Sequence, residues 1–416
     1  MRHRPTASRR ALVASLRSDL SSPEGSSLTS LVAACDPDQL ADLALSEGLA
    51  GPAHEGLGAL LSPEVSSRLA TEARRDAVRH LAYLDLLRKF ATALDKAAVT
   101  WVSLKGPVLA ELSYPGVHRG YTDLDLMVLP SQLRTALAAL EGAGAVAAEP
   151  DWALVTSGAK GEFTMAVHGL PIVDLHWHLV YLRSARERWA IPTDDLLERR
   201  RQVRLKDVDV WSLDPDDFLV HLALHASFGA AQQLRRLLDI ERTVANTTPN
   251  WDVVVQRCHA WRVGLPVSVM LSRARRTLGA DVPKEVVEAL AGNRPNLLIV
   301  RRLSAWSPSG LMPGGRSVKN GLTRSLRDGP FSTVGEFADQ SRRAVADVLR
   351  LHASGPGRPG TSDSSRACAG IERYLAMVDG TNRYGHMEPM RRSQRRLRGM
   401  RLTWKLSHDG REDFSR

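Results

Sequence analysis

The spacing of apolar residues predicts helices over most of this chain and short strands near its middle. From Arg79 to Leu94 the apolar residues recur at steps of three and four, which predicts a helical region over residues 28–97. Residues 99–104 form a short run rich in β-formers, which predicts a first strand. Pro107 then suits the first turn of a short helix from Val108 to Leu112.

A second strand, a hairpin and a long helical stretch follow. Residues 123–128 alternate between polar and apolar at first and then become wholly apolar, as a strand that enters a core does. Residues 163–168 and 171–176 predict the two strands of a hairpin that turns at Gly169-Leu170. Asp214-Pro215 is a good helix start, and residues 215 to about 305 are predicted to be mostly helical.

These patterns divide the chain into five segments. The boundary near 307 follows from Gly, Pro and Ser residues at 307–316, and residues 354–360 are predicted to form a linker. We expect a flexible basic N-terminus at 1–27, a helical N-terminal region at 28–97, a strand-containing core at 98–213, a helical domain at 214–306, and a helical extension with linker and basic tail at 307–416.

The composition excludes several classes of protein. With 43% apolar and 25% charged residues in a length of 416, the chain fits a soluble protein of more than one domain. It holds no apolar run long enough for a transmembrane helix, so we expect no membrane partner. Its three cysteines are far apart and lack metal-ligand spacing, which argues against a disulfide framework and suits a reducing cytoplasm.

The net charge of +10 has two interpretations. Arg199-Arg200-Arg201 and the arginines between 391 and 401 could bind an RNA backbone without sequence specificity. Alternatively, these arginines reflect a genome that prefers Arg and a solvated tail, because no stacking aromatic residues lie between them. Because both interpretations stay open, RNA is kept as one of the expected partners.

Asp123 and Asp125 are the polar residues that say most about chemistry. Residues two apart share one face of a strand, so these two carboxylates point the same way while Leu124 and Leu126 point into the opposite layer. Like charges side by side repel, and carboxylates near a core need a cationic partner. Mg²⁺ is the usual partner, and it commonly shares its remaining positions with water and substrate phosphates. The pair indicates phosphoryl or nucleotidyl transfer.

A second pair, His221 and His225, lies four residues apart on one predicted helix face, a spacing that can bind a metal ion. Position 222 is Leu rather than the Glu that follows the first His in zinc proteases. We therefore expect packing or supporting roles for these two histidines.

The order of three motifs resembles a known superfamily. Leu104-Lys105-Gly106, Asp123-Leu124-Asp125 and Asp174-Leu175-His176-Trp177 are similar to motifs of nucleotidyltransferases with a DNA-polymerase-β-like core. More narrowly, they resemble the bacterial uncharacterised nucleotidyltransferase family, and the resemblance spans roughly residues 80–245. It implies an α+β fold, in which a small mixed β-sheet nucleotidyltransferase core at 98–213 is flanked by helices and followed by a mostly helical C-terminal region.

The resemblance also implies an activity. A Mg²⁺-dependent (or Mn²⁺-dependent) nucleotidyltransferase moves an NMP group from an NTP to a hydroxyl of an acceptor, and ATP is the expected donor. The acceptor, which the sequence does not identify, is a small molecule, a protein or RNA. Asp123 and Asp125 would bind the metal ions and Asp174 would complete the site, where it could also act as the general base.

Four further residues are candidates for substrate binding. Lys105 is expected to contact phosphate as a point charge, or else to lie exposed beside a turn. Gly106 allows close approach of the backbone, or simply forms that turn. Arg119 pairs with a phosphate or with Asp123, and His176 orients the neighbouring aspartate or contacts substrate, or is a hydrogen-bonded histidine of the sheet.

One departure from the superfamily pattern leaves alternatives open. The superfamily usually has Gly-Gly or Gly-Ser after the first strand, whereas this chain has Lys105-Gly106-Pro107, and Pro107 lacks the N–H that could bind phosphate. One alternative is therefore a catalytically degenerate module that binds a nucleotide or a partner. Another is a metal-dependent hydrolase that uses Asp174, His176 and His178.

Overall fold

The computed structural model describes residues 6–17, 27–149, 160–167, 172–180, 186, 189–228 and 234–305. The predicted extension at 307–416, with its linker and basic tail, lies outside the described residues, as does the hairpin turn at Gly169-Leu170.

Helices form the N-terminal part of the described chain, the strands lie between Trp101 and Ser212, and helices alone follow from Pro215 onward. The strands are β1 (Trp101–Ser103), β2 (Asp123–Val128), β3 (Ala145–Ala147), β4 (Glu162–Val167), β5 (Ile172–His176), β6 (Arg201–Leu205) and β7 (Val208–Ser212). The helices are α1 (Ala7–Ser15), α2 (Leu28–Ala33), α3 (Pro37–Ser46), α4 (Ala50–Leu57), α5 (Pro63–Lys96), α6 (Pro107–Ser113), α7 (Leu133–Gly142), α8 (Thr193–Glu198), α9 (Pro215–Phe228), α10 (Leu234–Thr247), α11 (Trp251–Ala260), α12 (Gly264–Leu278), α13 (Lys284–Ala291) and α14 (Arg294–Ser304).

The seven strands form one mixed sheet in the order β3-β4-β5-β2-β1-β7-β6. At its centre β2 pairs in parallel with β5 and antiparallel with β1. The hairpin predicted from the sequence is confirmed, because β4 pairs antiparallel with β5. The sheet with its surrounding helices confirms the α+β fold class and the small mixed core.

The longest helix, α5, lies beside this sheet and follows the predicted helical period. Ser62 caps its first turn by accepting a hydrogen bond from the Val65 N–H, and Pro63 occupies the first helical position. Its buried face includes Leu69, Tyr83 and Leu87, and the helix contacts α3, α4, α7 and β7. Tyr83 is thereby placed within the core.

The helix α1 departs from the sequence prediction. Residues 1–27 are predicted to be flexible, yet Ala7–Ser15 form a helix whose Leu12 is completely buried. The Thr6 side chain caps it by accepting a hydrogen bond from the Arg9 N–H, and α1 contacts α2, α3 and α4. The sequence predicts a flexible segment here because the segment is rich in arginine. Whether its apolar face is buried depends on partners elsewhere in the chain, which the local composition does not show.

The helices that follow β7 pack around α12, which contacts α9, α10, α13 and α14. The helix α10 also contacts α6, which precedes the loop before β2, and so joins these C-terminal helices to the region of the sheet. No helix among the described residues combines the length and the apolar composition needed to cross a membrane.

Candidate active site

Strand pairing brings three aspartates together. In the parallel pair of β2 and β5, Asp125 lies directly opposite Asp174, and Asp123 shares the face of Asp125 two residues earlier. One ligand oxygen from each of the three carboxylates lies within 4.8 Å of the others. The three aspartates that the sequence and the resemblance predict as a metal site are therefore neighbours in the fold.

Asp125 is held by a lysine and a histidine side chain. His176 Nε2 lies 3.0 Å from Asp125 Oδ1, and Lys105 Nζ lies 3.1 Å from Oδ2. Burial opposes ionisation of this carboxyl, but the Lys105 ammonium and the His176 hydrogen bond outweigh burial and hold the pKa of Asp125 well below its usual range. Asp125 is therefore an ionised carboxylate inside the protein.

Asp174 lies in a different electrostatic environment. Thr164 Oγ1 donates a hydrogen bond of 2.9 Å to Asp174 Oδ1. Burial, followed by the negative charges of Glu162 and Asp125, raises the pKa of Asp174 to about 7. Two neighbouring carboxyls thus differ widely in acidity, because one is paired with cations and the other is surrounded by anions.

This donor set fits a divalent cation. Mg²⁺ and Mn²⁺ prefer carboxylate oxygens, and all three predicted ligands supply them. The raised pKa of Asp174 has burial as its main cause and the crowding of negative charge as its second, and a cation at the three oxygens would relieve that crowding. Among the described residues, this triad is the only group of three or more His, Cys, Asp or Glu side chains close enough to hold a metal ion.

The Lys-Gly turn lies against the triad. The Leu104 N–H donates to the Asp125 carbonyl at 3.0 Å, which continues the β1–β2 ladder and places Lys105 beside Asp125. Gly106 begins α6 with φ +53° and ψ −116°, and a Cβ there would lie 3.3 Å from the Asp123 carbonyl oxygen. Only glycine adopts this conformation without strain, so Gly106 is required for the close approach of the turn to β2.

Arg119 has a partner that the sequence does not suggest. Its Nε and Nη2 donate bonds of 2.7 and 2.9 Å to the two carboxylate oxygens of Asp239 on α10. The Tyr114 hydroxyl donates a further bond of 2.7 Å to Asp239 Oδ1. Both charged side chains are buried, so these contacts support an anchoring role for Arg119 rather than the predicted pairing with phosphate or with Asp123.

The chain matches the model of a protein family described as uncharacterised nucleotidyltransferase, over residues 33–279. That match covers more than half of the 416 residues. The chain belongs to this nucleotidyltransferase family. No curated protein matches the sequence, and no solved structure matches the fold. The family membership confirms the resemblance read from the three motifs, and the matched region contains all seven strands and the whole aspartate triad of this family member.

Two side chains on β4 complete the site and were missed by sequence reasoning. The antiparallel register sets Glu162 opposite His176 and Thr164 opposite Asp174. Glu162 Oε2 lies 3.4 Å from His176 Nδ1, and these contacts with Glu162 and Asp125 overcome burial and raise the pKa of His176. Thr164 lies in the strand predicted at 163–168, whereas Glu162 lies one residue before it, and only the register of the folded hairpin sets these residues opposite Asp174 and His176.

His221, for which packing or a supporting role is predicted, is buried near Lys105. Burial and then the positive charge of Lys105 lower the pKa of His221 to about 3, so its imidazole is neutral at pH 7. Its Nε2 is buried and lacks a hydrogen-bond partner in the described part of the chain. The expected packing role accounts for its burial on α9, and the effect of the Lys105 charge on its pKa places the two side chains near each other.

The hydrolase alternative receives no support from the contacts. His178 Nδ1 accepts a bond of 3.0 Å from the Val180 N–H, and His176 binds Asp125. Neither histidine belongs to the cluster of potential metal ligands identified in the described ranges.

The first basic tract is used within the protein. Arg199 and Arg201 pair with Asp217 and Asp214, and the Arg200 guanidinium lies 4.5 Å from the Trp211 ring centroid. The second tract, at 391–401, lies outside the described residues. Of the two basic tracts that could bind RNA, the first therefore forms contacts within the protein, which connect β6 and α9.

Proposed function

We propose that this family member is a divalent-metal-dependent nucleotidyltransferase that moves an NMP group from an NTP to an acceptor hydroxyl. The observation that carries the proposal is the carboxylate triad of Asp123, Asp125 and Asp174, whose ligand oxygens lie within 4.8 Å of one another. Mg²⁺ or Mn²⁺ is the proposed metal and ATP the proposed donor. A small molecule, a protein or RNA is the proposed acceptor, and the cytoplasm is the proposed location.

The three aspartates would hold the metal on the face that they share on β2 and β5. When bound, a divalent cation neutralises phosphate charge and lowers the pKa of a coordinated hydroxyl. The acceptor oxygen attacks the α-phosphorus in line with the bond to the bridging oxygen of the β-phosphate, and that bond breaks to release pyrophosphate.

Asp174 is the proposed proton acceptor in this step. Thr164 fixes Oδ1 of Asp174, which leaves Oδ2 to take the proton from the acceptor hydroxyl. His176 positions Asp125 through its Nε2, and Glu162 on the far side of the imidazole favours the charged form of His176.

Substrate binding is proposed for the turn after β1. The Gly106 conformation brings the backbone close to β2, and Lys105 supplies a positive charge for the triphosphate. Arg119 is proposed to act indirectly, by holding the segment before β2 against Asp239 of α10.

The test is transfer of label from each α-labelled NTP, with Mg²⁺ or Mn²⁺ and a cell extract as the source of acceptors. The Asp123→Asn/Asp125→Asn variant should transfer nothing. Asp252→Asn is the matched control, because Asp252 is an exposed carboxylate in the first turn of α11, and it should transfer label normally.

Label on a product with the wild-type protein and the control, but not with the double variant, supports the proposal. Binding of NTP without transfer under either metal would replace it with the catalytically degenerate nucleotide-binding module. If the labelled product is RNA, its binding should weaken steeply as salt rises, since phosphate contacts release counterions.

A further inference from the structure

The Lys105 ammonium occupies a cation position within the carboxylate cluster. Its Nζ lies 3.1 Å from Asp125 Oδ2, and the side chains of Lys105 and Asp125 are only 13% and 4% exposed. Apart from this ammonium, the buried Asp125 Oδ2 has no partner in the portion of the chain that is described. One of the two Asp125 oxygens that a metal ion could use is thus already paired with a lysine.

The other oxygen of Asp125 is engaged as well. His176 lies 3.0 Å from Oδ1 and is itself held from behind by Glu162. His176 lies on β5, in the same sheet as Asp125 on β2 and Glu162 on β4, so strand pairing fixes its backbone position. Lys105, in contrast, reaches Asp125 from the turn after β1 on a flexible four-carbon side chain. Of the two side chains that contact Asp125, Lys105 is therefore the one that can move away from it without a change in the backbone.

A divalent cation at the triad and an ammonium on Asp125 Oδ2 repel each other at short range. Inside a protein such repulsion is weakly screened, so the two cations compete for one carboxylate. A triphosphate that arrives with the metal ion offers the ammonium a new anionic partner on the same side of the turn.

We propose that Lys105 is a positioning residue that exchanges partners, from Asp125 in the metal-free protein to the triphosphate in the loaded site. The exchange makes the metal ion and the triphosphate bind cooperatively, because each lowers the cost of accommodating the other. In the metal-free state the same lysine balances the negative charge of the triad. This inference rests on the proposed metal-dependent function.

The position of Lys105 can be followed directly by acetylation with acetic anhydride and mass spectrometry of the full-length protein. In the metal-free protein Lys105 should react slowly, because it is buried and ion-paired. Mg²⁺ alone should increase its acetylation, and Mg²⁺ with inorganic triphosphate should reduce it again. The exposed Lys89 on α5 serves as an internal reference and should not respond.

A second measurement compares Mn²⁺ binding by electron paramagnetic resonance. Lys105→Met removes the competing charge and should bind Mn²⁺ about tenfold more tightly than wild type, or better. Lys89→Met should bind Mn²⁺ as wild type does. If Lys105→Met fails to fold, the acetylation of the wild-type protein decides the question alone.

The outcomes separate this inference from the proposed function. If Mn²⁺ does not bind, or binds equally well to Asp123→Asn and Asp174→Asn, the metal site and the proposed function both fail. If Mn²⁺ binding depends on these aspartates but neither Lys105 acetylation nor the Lys105→Met affinity shows the expected change, the exchange of partners alone is refuted.

Discussion

The ion pair between Arg119 and Asp239 gives the sharpest test of how the segment before β2 is joined to the C-terminal helices. Two charge-assisted bonds of 2.7 and 2.9 Å connect side chains that are 8% and 7% exposed. Removal of one partner leaves the other charge buried without compensation, which costs about 3–5 kcal/mol. Arg119→Met and Asp239→Asn should therefore each lower the free energy of unfolding by about that amount. Tyr114→Phe removes only the third bond and should cost about 1.5–3 kcal/mol.

Urea unfolding followed by circular dichroism measures these values. The Arg119→Met/Asp239→Asn double variant should lose far less than the sum of the single losses, because neither charge is then left unpaired. NTP binding by the folded variants should change little. If Arg119→Met unfolds at the wild-type urea concentration and instead loses NTP affinity, the anchoring role is refuted and the phosphate contact predicted from sequence regains support.

Three further predictions concern the turn, a buried histidine and the metal. Gly106→Ala should lower the free energy of unfolding by about 1–3 kcal/mol and weaken Mn²⁺ binding, because the new Cβ contacts the Asp123 carbonyl. Gly116 has φ +77° and no atom within 4 Å of a Cβ built there, so Gly116→Ala should show the backbone strain without weaker Mn²⁺ binding. Burial, and then the charge of Arg186, lower the pKa of His178 from 6.5 to about 3, so the unfolded state gains a proton below pH 6.5 that the folded state does not. His178 should therefore lower the free energy of unfolding by about 2 kcal/mol between pH 8 and pH 5, and urea unfolding at these two pH values should show a loss about 2 kcal/mol smaller for His178→Asn than for wild type. Mn²⁺ at 100 times its dissociation constant should stabilise wild type by about 2.7 kcal/mol in the same assay, but not Asp174→Asn, and EDTA should remove the gain.

Each of these predictions has a contrary result. Equal metal affinity in Gly106→Ala and wild type would show that the turn does not set the position of β2. An unchanged pH dependence in His178→Asn would assign the acid sensitivity to other groups. Stabilisation of Asp174→Asn by Mn²⁺ would place the metal site elsewhere.

Local sequence determined the elements around the site. Alternation and β-propensity located β1, β2 and the β4–β5 hairpin, and the same alternation put Asp123 and Asp125 on one face. These features are predictable because a strand's side-chain period is a property of its own backbone. The helix start at Pro107 was likewise predicted correctly, since a proline in the first turn of a helix has a local cause.

The tertiary structure alone decided which side chains surround the aspartate triad and which partner Arg119 has. The Asp239 partner of Arg119 lies 120 residues away, and no periodicity links the two positions. The placement of Glu162 and Thr164 against His176 and Asp174 required the register of the hairpin, which a slip of one residue would reverse. Local pattern therefore specifies which face a side chain occupies, whereas the charges that surround it, and hence its acidity and its freedom to bind a ligand, follow from strand order and helix packing.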